Sequence, residues 1–481
     1  MKNALPLRRL GLFLGPALFV GAQFFLHPEG MSPEARSILA STLWIATWWI
    51  TEAIPIAATS LLPIVLFPLT RGLALRDTSE AYGHPLIFLF LGGFLIAAAI
   101  EKWNLHKRIA LSIIHLIGSD ATRLVLGFML ATASLSMFIS NTATAVMMMP
   151  IGIAVAMQIA RQGARQPDFE KALMLGIAYA ASIGGVATII GTPPNLVLIG
   201  VVEELYQIKI SFLQWMLIGL PISLVLLFLC WAYLVRLAFP LRHIILPGGK
   251  EEIQRQLKSL GAVSYEEKWV LAVFSLAALA WISRSFLLDK LLPGIDDTII
   301  AIGSASILFV IPCRQEGMTD NQRLLDWATA VRIPWGIILL FGGGLALAEG
   351  FKSSGLAEWL GHQLGMLQGL PLFALLFAVV LVINFLTEVT SNVATASMML
   401  PILASIAEGI GAPPLLLMMG ATFAASCAFM LPVATPPNAV VFGSGFLTIP
   451  DMVRTGFWMN LVSTIIVSLV VYFLLPLVWG V

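Results

Sequence analysis

Apolar residues in this chain come in long runs. Four of them, 10–26, 212–235, 269–287 and 457–479, approach or exceed the roughly 20 residues that cross a bilayer. Hydropathy predicts about eleven transmembrane helices or part-spans, and so an all-α polytopic membrane protein. One block breaks the pattern. The 37 residues of 124–160 would make a straight helix of about 55 Å, too long for a single span. Within it, FISNTATAVMMMP (138–150) carries Ser140-Asn141-Thr142, which divides the block into pieces of 16 and 18 residues. Positive charge flanks both outer ends, with Arg123 before and Arg161, Arg165 and Lys171 after, and so assigns both ends to the cytoplasm. The prediction is a re-entrant hairpin whose tip lies in the membrane.

The motif occurs twice. Residues 389–401, VTSNVATASMMLP, repeat it, and aligning Gly92-Gly93 with Gly343-Gly344, Ser140 with Ser391 or Pro150 with Pro401 gives the same shift of 251. A second pair follows at a shift of 243: Gly191-Thr192-Pro193-Pro194-Asn195 and Ala434-Thr435-Pro436-Pro437-Asn438. The chain therefore divides into N-terminal scaffold helices (1–80), a first repeat (81–245, hairpin 121–160, unwound helix 172–200), a connecting section (246–330) and a second repeat (331–481, hairpin 371–408, unwound helix 415–445). Duplication of this length points to a secondary transporter. No Lys or Arg occurs between Lys352 and Arg454, so the ends of the second hairpin belong on the opposite side, and the repeats are read as inverted. With 236–268 and 313–332 inside, all but seven of the 27 Lys and Arg are cytoplasmic, the seven being Arg36, Arg71, Arg76, Lys209, Arg284, Lys290 and Lys352. The N-terminus is then cytoplasmic as well.

Composition agrees with a membrane protein, at 59% hydrophobic and 11% charged residues. A formal net charge of +1 gives no reason to expect nucleic acid as a partner. Cys230, Cys313 and Cys427 sit in apolar context without paired spacing, which implies neither a disulfide framework nor a metal site. Lys2, Arg8 and Arg9 precede an apolar core ending near Val20-Gly21-Ala22, a pattern read as a retained first span because so many spans follow. The charged stretch 248–268 reads as a solvated loop or surface helix. Residues 102–117 mix basic and apolar positions and suit the cytoplasmic interface, where such a helix could clamp a moving domain to a static one.

A helix broken inside hydrocarbon leaves backbone groups that only protein or a wet cavity can satisfy. Free N–H groups at helix N-termini attract anions, and released carbonyls suit hard cations such as sodium. A single Ser-Asn-Thr would be a helix cap, and a single Pro-Pro a kink. Duplication at matched spacing, beside the small-residue stretches Ala180–Gly185 and Ala424-Ala425-Ser426, points to a site instead. No Lys or Arg lies in either motif pair, so a bound anion would be neutralised by dipoles, hydroxyls and co-bound cations. Glu52, Glu101, Glu349 and Glu388 are the acidic residues in or beside apolar segments; Glu388 is assigned a structural hydrogen-bonding role, since a carboxylate beside an anion site would repel substrate. An intramembrane enzyme is not indicated, as there is no HExxH pair, Ser-His couple or intramembrane aspartate pair, Asp296-Asp297 falling beside Pro293-Gly294 in a loop read as external. A passive channel stays open as a reading, though deep polar tips favour an occluding carrier.

With both Ser-Asn motifs and both Thr-Pro-Pro-Asn breaks, the chain resembles the divalent anion/sodium symporter family of sodium-coupled di- and tricarboxylate transporters, from Thr51-Glu52-Ala53-Ile54-Pro55 through Asn438. The resemblance implies a homodimer with scaffold and transport domains, the latter sliding as an elevator. It implies one sodium site from Ser136, Ser140, Asn141 and backbone near Gly191, and a second from Thr387, Thr390, Asn392 and backbone near Ala434. It implies a substrate site from Ser140, Asn141, Thr142, Thr192 and Pro193 facing Ser391, Asn392, Val393, Thr435 and Pro436. Two facing tips suit a C4-dicarboxylate such as succinate, malate or fumarate. Val393 departs from the doubled Ser-Asn-Thr pattern, removing a hydroxyl whose hydrogen bond would contribute about 1 kcal/mol. Sodium-independent exchange, and citrate or sulfate as substrate, remain open alternatives. The expected setting is a bacterial inner membrane.

Overall fold

A computed structural model describes the chain apart from residues 1–3, 118–119, 162–165, 242–248, 315–321, 364–368 and 481; Lys2, Arg165, residue 248 and part of the loop 313–332 thus lie outside the described residues. Among the described residues all regular structure is helical, save one isolated bridge between Pro312 and Arg323. The N-terminal section holds α1 (Ala4–Phe25), α2 (Pro33–Thr51), α3 (Ile56–Thr59), α4 (Leu62–Leu69) and α5 (Leu75–Glu80). A first series follows: α6 (Pro85–Lys102), α7 (Leu105–Ile117), α8 (Ala121–Ser136), α9 (Asn141–Arg161), α10 (Pro167–Gly185), α11 (Pro193–Tyr206) and α12 (Phe212–Tyr233). The middle section contains α13 (Gly249–Ser259), α14 (Tyr265–Ser283), α15 (Asp289–Leu291), α16 (Asp297–Val310) and α17 (Trp327–Ala330). The last series is α18 (Trp335–Ser353), α19 (Leu356–Gln363), α20 (Leu372–Leu386), α21 (Asn392–Ile410), α22 (Pro414–Ala425), α23 (Pro436–Phe442) and α24 (Ile449–Trp479). Element for element, α18 to α24 run in the same order as α6 to α12.

Seven helical runs among the described residues are long and apolar enough to cross a membrane. Five shorter apolar helices accompany them, including α8, α20 and α22. The boundaries follow from local chemistry. Asp120 caps α8 by accepting the Arg123 N–H, and reciprocal capping boxes start α12 (Ser211 with Gln214), α14 (Ser264 with Glu267) and α24 (Thr448 with Asp451). Helices α11 and α23 begin with proline directly after an extended threonine, Thr192 (φ −145°, ψ 143°) and Thr435 (φ −137°, ψ 149°). Proline has no N–H to waste at a first helical position, so the break falls there.

Charged contacts gather outside the apolar layer. Lys102, at the end of α6, bonds Asp326 at 2.7 Å and holds that carboxyl below the usual carboxylate range, while Trp103 donates to the Leu324 carbonyl. Arg108 on α7 pairs with Glu267 at 2.8 Å. The charged stretch beginning near 248 takes the surface-helix form. Helix α13 packs against α7 and α9, with Ile253 1% and Glu252 4% exposed and Arg255 bonding both Glu252 carboxylate oxygens.

Candidate functional site

Both Ser-Asn pairs sit where one helix stops and another starts. Helix α8 ends at Ser136 and α9 starts at Asn141; α20 ends at Leu386 and α21 starts at Asn392. Opposite them, α10 gives way to α11 across residues 186–192, and α22 to α23 across 426–435. The packing is crossed between the two series. Helix α9 lies against α10 and α23, and α21 lies against α22 and α11, so each interrupted hairpin touches helices from both series.

At the first break the Ser136 hydroxyl lies 2.5 Å from Asn141 Oδ1 and 2.7 Å from the Ala181 carbonyl. At the second, the Thr387 hydroxyl lies 2.6 Å from Asn392 Oδ1 and 3.1 Å from the Ala425 carbonyl. Each hydroxyl has one proton and faces two acceptors, so each cluster holds three oxygens that a single hydrogen cannot satisfy. Oxygen-rich clusters of this kind fit a hard cation. Gly191 joins the first cluster through Gly185: a Cβ on Gly185 would lie 2.7 Å from Asn141 Oδ1 and 3.2 Å from the Gly191 carbonyl. The Asn141 amide nitrogen lies 3.1 Å from the same point, so glycine here leaves room for the whole amide beside the Gly191 carbonyl. Ala434 is buried in the corresponding second turn, its N–H bonded to the Leu431 carbonyl. The Thr390 hydroxyl is committed elsewhere, bonding the Leu386 carbonyl and the Thr395 hydroxyl.

The remaining sequence candidates surround these clusters. Ser140 is half-buried and accepts the Ala143 N–H, while Thr142 is exposed. Ser391 and Val393 are half-buried, and Val393 packs against both apolar cores. Thr192 and Thr435 are buried, Pro193 is half-buried and Pro436 is exposed. Among the described residues no hydrogen bond runs from the Ser140-Asn141 tip to the Ser391-Asn392 tip.

Two asparagines not singled out as site residues organise the unwound turns. Asn195 donates to the carbonyls of Gly185 and Thr188, and Asn438 to those of Ala428 and Leu431. Each amide thus ties the two ends of its turn together, at positions related by the same shift of 243 that relates the motifs. That shared place after Pro-Pro was the available signal. A cavity of about 760 Å³ reaches the first hairpin at Ile139, Ala143 and Thr144, and is walled by Glu101 and Lys107 on one side and Gln256 of α13 on another.

Over residues 8–479 the chain matches the family described as the sodium:sulfate symporter transmembrane region. A Staphylococcus saprophyticus protein named sodium-dependent dicarboxylate transporter SdcS is 48% identical over 480 residues, spanning 98% of this chain and 92% of its own. Its namesake from Staphylococcus aureus strain bovine RF122 / ET3-1 is 50% identical over 482 residues, with the same two shares of 98% and 92%. Among solved structures, MtrF of Neisseria gonorrhoeae, from a class of antimetabolite efflux pumps, superposes with a TM-score of 0.59 at 12% identity, covering 97% of this chain and 94% of its own. The YdaH transporter of Alcanivorax borkumensis gives 0.57 at 13%, covering 91% and 99%. At such identities these two structures speak for a shared membrane fold and nothing finer.

Proposed function

The chain belongs to the sodium:sulfate symporter family of membrane transporters, and from that premise we propose that it is a secondary active carrier moving C4-dicarboxylates of the succinate, malate and fumarate class together with sodium. The observation that carries this reading is the pair of oxygen clusters, Ser136/Asn141/Ala181 and Thr387/Asn392/Ala425, at the two helix breaks. The relatives at 48% and 50% identity, named for sodium and dicarboxylate, support it.

In this reading Ser136, Asn141 and the Gly191 carbonyl hold one sodium, and Thr387, Asn392 and backbone near Thr390 and Ala434 hold the other. Bound sodium supplies the positive charge that no Lys or Arg provides. Ser140, Asn141 and Thr142 receive one carboxylate, and Ser391 and Asn392 the second, with Thr192-Pro193 and Thr435-Pro436 closing the sides. A two-carbon spacer between two carboxylates matches two tips approaching from opposite sides of an inverted pair of repeats. The moving body comprises the two hairpins, the unwound helices, α12 and α24. It travels as an elevator against a scaffold that forms the homodimer contact. The cavity beside α9, bounded by α13 at the end rich in positive charge, supports a cytoplasm-facing state.

Uptake of radiolabelled succinate into proteoliposomes, with and without an inward sodium gradient, tests the proposal. Saturable uptake driven by sodium is expected, with malate and fumarate competing and citrate and sulfate not. Uptake indifferent to sodium but stimulated by internal dicarboxylate would favour exchange instead.

A further inference from the structure

The second break contains a charged group with no counterpart at the first. Glu388 follows Thr387 directly and is 2% exposed. One carboxylate oxygen accepts the N–H groups of Phe429 at 2.7 Å and Met430 at 2.9 Å and the Asn460 amide at 2.8 Å. The other accepts the Leu431 N–H at 3.0 Å. Both oxygens act as acceptors toward four donors, the pattern of an ionised carboxylate. Three of the donors are consecutive N–H groups of the unwound turn, and the fourth comes from α24, so one side chain locks the hairpin, the turn and α24 in fixed relation. Asn384 on α20 extends the same lock by donating to Ser463 at 2.9 Å.

At the first break the equivalent residue, 251 earlier, is Met137. It offers only its carbonyl, which accepts the Thr188 hydroxyl. The N–H groups of Val186 and Ala187, which correspond to those of Phe429 and Met430, turn back instead to the carbonyls of Ile183 and Gly184. The first oxygen cluster therefore lies beside a neutral turn held by backbone, and the second beside a fixed negative charge.

Resting on the sodium reading above, we infer that Glu388 is a positioning residue that makes the two cation sites unequal: it holds the 429–431 turn and adds negative potential beside Thr387 and Asn392, so the second site binds sodium more tightly and fills first. A buried charge one residue from a ligand acts through protein of low dielectric, which makes an affinity difference of roughly tenfold or more reasonable. Glu388 itself touches neither substrate nor cation in this account. By attracting the cation it lets a carboxylate approach a tip whose own acidic residue would otherwise repel it.

The test uses the purified full-length protein in two measurements, a sodium titration of the melting midpoint in detergent and sodium-dependent succinate uptake. Glu388→Gln removes the charge and puts an N–H donor against the turn's own donors. Its sodium half-saturation is expected to rise at least tenfold in both measurements, with succinate KM at saturating sodium changed less than threefold. Glu388→Asp keeps the charge but withdraws it by one methylene and is expected to give a rise of about threefold; it also serves if the glutamine variant fails to fold. Met137→Leu, the matched change at the first break, is expected to leave sodium half-saturation unaltered. A merely structural role predicts something different: lower melting midpoints without sodium, and half-saturation unmoved in both Glu388 variants. That result overturns the inference while leaving sodium coupling intact. A wild-type protein neither stabilised nor driven by sodium overturns both.

Discussion

The two interrupted hairpins perform the same task with different materials. Around the first, backbone comes close to backbone: a Cβ on Gly184 would fall 2.6 Å from the Ala133 Cα, so α8 and α10 touch through their main chains. Carbonyls at that turn and at the end of α10 are met by neutral donors, with Trp215 bonding Val186 and Ser223 bonding Ile183. Around the second, the positions equivalent to Gly184 and Ala133 are Cys427 and Asn384, and the turn is held by Glu388 and Asn460. Close backbone approach serves both halves, since a Cβ on Gly456 of α24 would fall 2.5 Å from the Met430 Cα, and only the second adds a buried carboxylate network. Breaking a helix in hydrocarbon sets a requirement for backbone satisfaction, and that requirement does not dictate which side chains meet it.

If the clusters nevertheless act as equals in coupling, Asn141→Ala and Asn392→Ala should each abolish transport, reducing initial uptake about a hundredfold or more while leaving the elution profile of the purified protein unchanged. Each substitution removes the amide oxygen that accepts the Ser136 or Thr387 hydroxyl. Loss from one variant only would mean that a single half carries the site.

The turns should separate the halves further. Asn195→Leu leaves the Gly185 carbonyl without its donor, at about 1–3 kcal/mol for a buried orphan, and the Thr188 carbonyl with the Gly191 N–H alone. Asn438→Leu likewise takes the donor from Ala428 and leaves Leu431 with the Ala434 N–H alone, but Glu388 still grips the turn, so the fall in melting midpoint is expected to be smaller. Equal falls would show that Glu388 contributes nothing to holding it. Close packing can be probed alone. Gly184→Ala pushes a methyl into the Ala133 backbone and should destabilise by about 1–3 kcal/mol, whereas Cys427→Ala leaves a small void costing about 1 kcal/mol. A midpoint for Gly184→Ala no lower than that of Cys427→Ala would show that the close approach of α8 and α10 contributes nothing to stability.

Much of this architecture is legible in the sequence because the interruptions are short, polar and duplicated. Ser140-Asn141 and Ser391-Asn392 stand out against apolar neighbours at a shift of 251, and the helix boundaries beside them follow from proline and from serine, threonine or aspartate caps. What a single chain does not disclose is which distant helix meets each break. The runs are apolar on most faces, so periodicity names no partner, and the crossed packing of α9 on α23 and α21 on α11 has no local signature. The same holds for Glu388: its proximity to Ser391 is visible, but its partners Phe429 and Asn460 lie 41 and 72 residues away. The charges of α13 mark a loop or surface helix, but not that it packs on α7 and α9 with Ile253 and Glu252 buried. Motifs locate the breaks, and long-range pairing determines what the breaks do.

The smallest expected effect concerns the one position at which the motifs themselves differ. Thr142 is exposed beside the first tip, whereas Val393 is half-buried against both apolar cores. Val393→Thr is nearly isosteric, so it adds a hydroxyl without adding volume. If that hydroxyl reaches a bound carboxylate it contributes about 1 kcal/mol, roughly a fivefold gain in apparent affinity for the acids able to use it. If it faces the cores instead, it is buried without a partner and the melting midpoint falls with no change in selectivity. Because Val393 follows Asn392 at the helix start, where the chain turns from apolar packing toward the tip, the first outcome is expected: altered preference among succinate, malate and citrate at constant sodium dependence. Competition assays over those acids, run at two sodium concentrations, distinguish the outcomes. A change in sodium half-saturation exceeding the change in substrate preference would assign this position to the cation cluster and place the functional difference between the halves there rather than at the carboxylate.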